Sequence, residues 1–236
     1  MLSVRIVTYN IRHCRGNDGR LDVARTAEVL RKLSPDIVGL QEVDQGTQRA
    51  QGVAQASELG RELGMHSAFG AFMPYDGGHY GMGILSKNPL THVRSICLPE
   101  GNEPRIALYA ESSLGGGEVV AIVNVHFDWV DDDGFRFAQA SYLAEMLRKL
   151  EMPFILLGDF NDQPGSRTIS LFRSLATEVP KPPEDHFTFS SDEPVKEIDF
   201  IFVSPRERWS KTNSRVIAEP VASDHRPLLA ELTLRS

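Results

Sequence analysis

The sequence predicts a layered α/β sandwich, with two β-sheets packed face to face and helices on the outside. Three observations lead there. Strand-like runs occur in both halves of the chain, helical segments are interspersed among them, and consecutive strand-like runs in the middle read as an antiparallel series. This is not the pattern of a doubly wound parallel sheet.

The elements follow in order. Residues 4–9 alternate in the manner of a strand, and 36–40 (DIVGL) form a short buried strand rich in β-branched residues. Between them, 22–33 read as a helix: Val23, Ala27 and Leu30 share a face, Asp22 can cap the start, and Pro35 closes the exit. A second, weaker helix covers 51–63, ending before Gly64. Strand-like runs follow around 80–86, 91–98, 105–112 and 119–127. A long helix is expected over 135–150, with Ala140, Leu143, Leu147 and Leu150 on one stripe. FILLG, 154–158, is a fully buried strand leading to Asp159, and Ser166 caps a helix running to about Leu175. Strands are expected last at 198–203, 215–218 and 228–234.

The 236 residues, 41% of them apolar, fit one domain spanning 1–236; the irregular stretch 179–184 is too short to separate two. No internal repeat is visible. The opening MLSVRIVTYN alternates like a strand instead of forming a signal peptide, and no run reaches transmembrane length. Cys14 and Cys97 give neither a disulfide framework nor zinc spacing, so a reduced, cytoplasmic location is expected. Oligomeric state is not legible, and a monomer is the default. A net charge of −7 argues against a general nucleic-acid binder, whose affinity comes mostly from cations on phosphates, although the local field at a cleft outweighs total charge.

Five polar clusters each close an apolar strand run, where a rigid scaffold can hold catalytic groups. Thr8-Tyr9-Asn10 ends in a carboxamide, a neutral oxygen ligand or a hydrogen-bond donor to phosphate. Gln41-Glu42-Val43-Asp44 places carboxylates where a hard cation such as Mg²⁺ can be held. Asn124-Val125-His126 brings an imidazole to the end of a buried run. In Gly158-Asp159-Phe160-Asn161, pleating is expected to put Asp159 and Asn161 on one side, a carboxylate to orient water beside an amide for a phosphoryl oxygen. Ser223-Asp224-His225-Arg226-Pro227 has adjacent Asp and His that diverge on an extended segment, so His225 needs another carboxylate, and Asp199 is the candidate. Singly, each has an ordinary reading: a turn asparagine, a solvated acidic turn, a satisfied core histidine. Together, in this order, they point to one site.

These motifs resemble the endonuclease/exonuclease/phosphatase superfamily, the deoxyribonuclease-I-like hydrolases, over essentially all of the chain. GDFN and SDHRP are the specific blocks. The resemblance implies a four-layer α/β sandwich of two mostly antiparallel sheets flanked by helices, and a Mg²⁺-dependent hydrolase of phosphate esters, with Mn²⁺ as a substitute. It implies Glu42 as principal metal ligand with Asn10 and Asp224 close to the metal or its waters. Asp159 and Asn161 would handle the attacking water and a phosphate oxygen, and His126 and the Asp199-oriented His225 the transition state. Arg105 resembles an arginine near the substrate phosphate; as a bare residue it reads equally as a surface ion pair. Met82 departs from the pattern, standing where an asparagine is common.

The substrate the resemblance implies is a phosphoester. Asp128, Asp131, Asp132 and Asp133 would repel a polyanion if they border the cleft, or would simply complement a helix N-terminus. The run 206–211 (RERWSK) joins cations to an aromatic as a nucleic-acid contact does, or is a solvated connection. The balance is toward a small phosphoester or phospholipid head group. A nuclease is the alternative within enzymes, and a non-catalytic phosphate-binding module is the alternative outside them.

Overall fold

The computed structural model describes residues 2–235, apart from the side chains of Lys211 and Thr212. Two six-stranded sheets face each other. The first holds β1 (Leu2–Asn10), β2 (Ile37–Gln45), β3 (His66–Tyr75), β4 (Gly78–Ser86), β11 (Trp209–Val216) and β12 (Leu228–Leu234), in the order β11-β12-β1-β2-β4-β3. The second holds β5 (Leu90–Cys97), β6 (Ile106–Gly115), β7 (Glu118–His126), β8 (Phe154–Asp159), β9 (Thr177–Glu178) and β10 (Asp199–Ser204), in the order β5-β6-β7-β8-β10-β9. Each sheet has one parallel pair, β1 with β2 and β7 with β8, and is otherwise antiparallel. Helices α1 (Val23–Leu33) and α2 (Gln55–Leu63) cover the first sheet; α3 (Gly134–Leu147) and α4 (Arg167–Leu175) cover the second.

Three apolar layers hold this together. Val4, Ile6, Ile122, Ile155, Leu157 and Ile201 fill the space between the sheets. Tyr9, Leu30, Leu40 and Leu59 pack the first sheet on its helices, and Phe127, Phe160, Phe172 and Leu143 pack the second on its own. The period of two therefore splits every central strand between two cores. Gly39 permits the sheets to approach, since a Cβ there would lie 2.6 Å from Leu157 Cδ1.

The helices begin and end for local reasons. Asp22 accepts the Arg25 N–H and Ser34 leaves α1 in the left-handed region; Ser166 accepts the Ile169 N–H of α4. Helix α2 starts at Gln55, later than expected, because Gln51 and Gly52 take positive φ in a turn closed onto Thr47 and Gln48. Helix α3 ends at Leu147, not 150.

Other expectations change. The strand expected to stop at 40 continues to Gln45 through a register shift between Leu40 and Val43, with Glu42 at φ 55°. Strand β3 escaped notice because it is an edge strand interrupted by Gly70 and Pro74, with little alternation. The aromatic of the 206–211 run is not free to stack on a base: Trp209 opens β11 opposite Leu234, 8% exposed, and its indole N–H donates to the Ser204 carbonyl. That is the end of the sheet away from Asn10; the side chain of Lys211 lies outside the described residues. Among the described residues, no helix is long and apolar enough to cross a membrane.

Candidate active site

The site arises because the inward rows of five strands turn polar at the same end. On β1 the row reads Val4, Ile6, Thr8, Asn10; on β7 it reads Val120, Ile122, Asn124, His126; on β8, Ile155, Leu157, Asp159. Register then places His126 beside Asp159 and Asp159 beside Asp199, on neighbouring strands. Asn10 stands beside Gln41 across the parallel β1–β2 pair. A cleft of about 720 Å³ opens over these ends, lined by Glu42, Arg105, His126, Asp159, Asn161, Asp224 and His225 among others.

Glu42 reaches the cleft through the β2 bulge, a device that re-aims a side chain by breaking the ladder. The interruption is repaired from the opposite sheet. The fully buried Asn124 amide donates to the carbonyls of Leu40 and Gly83, each at 2.9 Å, and its oxygen accepts from Gln41 Nε2 at 2.7 Å. Asn10 Nδ2 donates to Glu42 Oε1 at 3.0 Å and to Asp159 Oδ2 at 3.1 Å. Its oxygen is taken by the Arg12 N–H. Asn10 thus presents nitrogen, not oxygen, to the carboxylates, and as placed it holds them in position instead of offering a ligand atom to a cation.

Asp159 is the hub. Its Oδ1 accepts the Asn161 N–H at 2.9 Å, and its Oδ2 lies 3.5 Å from His126 Nε2 and 3.6 Å from His225 Nε2. Burial pushes its pKa up to about 7, with His225 opposing the rise and Asp199 adding to it. The strand ends at Asp159, so pleating does not carry Asn161 to the same side; a left-handed turn, φ 50°, does, and its Nδ2 donates to the Phe127 carbonyl at 3.0 Å. Gly158 is required for backbone approach: a Cβ there would meet the Val125 carbonyl oxygen at 2.0 Å.

His225 Nδ1 sits 2.9 Å from Asp199 Oδ2, the pair expected from sequence, and the ring packs against Phe189 with centroids 4.9 Å apart. Burial opposes charge on this imidazole, but Asp199 and Asp159 outweigh it and push its pKa up to about 10. His126 goes the other way: burial first, then Arg105 and His225, hold its pKa well below the usual value. One imidazole is therefore cationic and the other neutral at pH 7, so the His126–Asp159 contact is not an ion pair. Environments that push paired titratable groups apart separate proton-donating from merely polar roles.

Arg105 is inside the site, not on the surface: its side chain is 2% exposed, and its guanidinium lies over Phe72 at 5.1 Å. Nη2 pairs with Glu103 Oε2 at 3.0 Å, while Nε and Nη1 are buried without a partner, as is His126 Nδ1. Unfilled buried donors cost about 1–3 kcal/mol each, and donors kept unfilled in a cleft suit an anion. Asp224 also lines the cleft, 3.3 Å from Arg12 Nε, and the Ser223 hydroxyl ties its segment to the Asn10 carbonyl at 2.7 Å.

Several contributors were not read from the sequence. Phe72, which packs against both His126 and Arg105, lies on the unrecognised β3. Arg12 acts through Asp224, far away in sequence, and Arg136 through Asp162 in another motif, pairings that no local pattern announces. The acidic run divides between its two readings, with Asp132 and Asp133 standing at the start of α3. Asp128 is fully buried and accepts the N–H groups of Asn102 and Val130; Asp133 pairs with Arg167, and Asp132 accepts the Gly134 N–H. Only Asp131 of this run faces the cleft. Met82 is buried between the sheets, an apolar filler of the row that ends in Tyr80.

A donor set for a hard cation is present. Glu42 has no cationic partner among the described residues, and Asp224 adds a second carboxylate. Asp159, Asp199 and His225 also bring atoms within 4.8 Å of one another. There, however, the His225–Asp199 hydrogen bond occupies the facing atoms.

Known proteins resemble this chain in sequence and in fold. The chain is 27% identical over 251 residues to the uncharacterized protein YbhP of Escherichia coli, covering 98% of this chain and 97% of that protein. It is 29% identical over 137 residues to a UPF0294 protein of Vibrio campbellii, covering 56% of this chain but 46% of that one, so the match spans just under half of that relative. In structure it superposes on an endonuclease/exonuclease/phosphatase from Bacteroides vulgatus with TM-score 0.81 at 23% identity, covering 100% of both chains. The mannosyl-6-phosphatase Bt3783 of Bacteroides thetaiotaomicron gives TM-score 0.78 at 19% identity, covering 98% of this chain and 100% of that one. Residues 7–225 match the sequence pattern of the Endonuclease/Exonuclease/phosphatase family, from the first strand to the last histidine of the cleft, and the chain belongs to that family.

Proposed function

We propose that the protein hydrolyses a small phosphoester in a reaction that depends on a divalent cation, Mg²⁺ with Mn²⁺ as substitute. The observation that carries this is the presence in one cleft of unpartnered anion-seeking donors, Arg105 Nε and Nη1, and a cation-seeking carboxylate, Glu42. Glu42 and Asp224 would hold the cation, with Asn10 fixing Glu42. When bound, the cation supplies positive charge beside the phosphoryl oxygens.

The chain's own residues do the rest. Arg105 binds and orients the phosphate through its free N–H groups. Asp159, with a pKa raised to about 7, accepts a proton from the attacking water. His225, kept protonated by Asp199, donates toward the phosphoryl or leaving oxygen, and neutral His126 adds a hydrogen bond. Asn161 has one amide hydrogen committed to Phe127, leaving its other N–H and its oxygen for water or phosphate. Such chemistry needs positioning and charge neutralisation without a covalent intermediate. A small substrate is favoured over duplex DNA because Asp131, with no ionic partner among the described residues, lines the cleft, while the cationic 206–211 run starts at the far end of the sandwich.

The test is turnover of bis-p-nitrophenyl phosphate and p-nitrophenyl phosphate with and without Mg²⁺, followed by a panel of DNA, nucleotides, inositol phosphates and sphingomyelin. Cation-dependent turnover is expected. Phosphate binding without turnover of any member would make the cleft a non-catalytic module, and preference for DNA by orders of magnitude would overturn the small substrate.

A further inference from the structure

Trp129 is the most exposed large aromatic side chain among the described residues, 57% exposed, and it lines the cleft three residues after His126. It makes no ring contact with another aromatic side chain among the described residues. Its backbone is nevertheless held firmly on both sides. Asp128, before it, accepts from the N–H groups of Asn102 at 2.7 Å and Val130 at 3.2 Å, and its own N–H donates to Gln139 Oε1 at 3.0 Å. Arg136 Nη1 donates to the carbonyls of both Asp128 and Val130, at 2.9 and 3.0 Å, and Arg136 Nε to Asp162 Oδ2 at 3.0 Å. An indole left in water on a rigid support at a cleft mouth is a preformed stacking surface, because the ordering cost of binding is already met.

The charges around it define what it receives. Asp131, two residues on, is exposed and has no ionic partner among the described residues, so it repels a second phosphate. Arg49, stacked over the Tyr75 and Tyr80 rings at 4.4 and 5.4 Å, is paired with Asp44, but Lys196, which also lines the cleft, has no carboxylate partner among the described residues and disfavours a cation. An uncharged group is opposed by neither free charge.

We propose that Trp129 is the floor of a subsite for the alcohol part of the substrate, and that this part is an uncharged ring with an apolar face. The inference rests on the phosphoesterase reading and adds the class of ester.

Non-hydrolysable phosphonates test it, with affinity measured by calorimetry in the presence of Mg²⁺. Phenylphosphonate is expected to bind about tenfold more tightly than methylphosphonate, a gain of about 1.4 kcal/mol within the range of ring stacking. Cyclohexylphosphonate decides the ring type: an equal gain indicates a puckered, sugar-like ring, and no gain indicates a planar one. Trp129→Ala should bring the phenyl-to-methyl ratio to near one, while Trp129→Phe retains most of it. Ligand-induced change in tryptophan emission should vanish in Trp129→Phe, since the second tryptophan, Trp209, is buried at the far end. A wild-type ratio near one, or a ratio unchanged in Trp129→Ala, overturns the subsite alone. If methylphosphonate itself does not bind, the phosphoester reading falls and the subsite falls with it.

Discussion

Replacing Arg105 with methionine should separate stability from function. The guanidinium has one partner, Glu103 at 3.0 Å, and two buried donors with none. Each unfilled donor costs the ligand-free protein about 1–3 kcal/mol. Methionine keeps apolar contact with Phe72 and removes both donors; it also releases Glu103, whose side chain is 34% exposed and can hydrate. The ligand-free variant should therefore be as stable as the parent or more so, by up to about 2 kcal/mol, a rise of roughly 4–8 °C in Tm for a chain of this size. Binding should show the reverse. Two charge-assisted hydrogen bonds to phosphate are worth roughly 1.5–3 kcal/mol each, so kcat/KM should fall by about 10² to 10⁴. The assays are thermal melting in EDTA, with and without inorganic phosphate, and steady-state hydrolysis of bis-p-nitrophenyl phosphate with Mg²⁺. A kcat/KM within about threefold of the parent, or a melting temperature lowered by more than about 5 °C, would refute the reasoning and make Arg105 a structural residue.

Asp199→Asn removes the charge nearest His225, leaving burial to dominate and lowering the imidazole pKa from about 10. In the metal-free parent, the stability contributed by this protonated imidazole is complete below its unfolded pKa of about 6.5 and is lost as pH rises toward 10. Melting temperature between pH 6.5 and 9 should therefore fall more steeply in the parent than in the variant, and parallel curves would contradict the pairing. The variant should also lose about 10² or more in kcat, with the alkaline limb of its rate profile moved to lower pH. Glu42→Gln keeps an acceptor for Asn10 but removes the charge; turnover should drop at least about 10³-fold, along with Mg²⁺-induced thermal stabilisation, which is measured by melting with and without the ion. Asn124→Leu strands the carbonyls of Leu40 and Gly83 and should cost about 3–5 kcal/mol by urea unfolding. A change under about 1 kcal/mol would mean that the bulge beneath Glu42 does not depend on the opposite sheet.

The sequence by itself determined the sandwich and most of the residues at its polar end. Alternation in β1, β7 and β8 is a local consequence of backbone pleating, and the residues that end those rows, Asn10, His126 and Asp159, are legible because they interrupt an apolar period. The partnership of Asp199 with His225 was also legible, because a buried imidazole needs a carboxylate and few candidates end a strand. What the tertiary structure decided lies in register and long-range contact. The extension of β2 through a bulge, the turning of the Asn10 amide nitrogen toward Glu42 and Asp159, the burial of Arg105 with two donors unfilled, and the neutrality of His126 beside a cationic His225 all depend on groups brought together from distant strands. The acidic run after His126 makes the same point. Its composition allowed either repulsion of a polyanion or a helix N-terminus; the fold consumes Asp128, Asp132 and Asp133 as hydrogen-bond acceptors and ion-pair partners, leaving Asp131 beside an exposed Trp129. Charge and chemistry are written residue by residue; desolvation and pairing, which set what those charges do, exist only once the sheets have closed on each other.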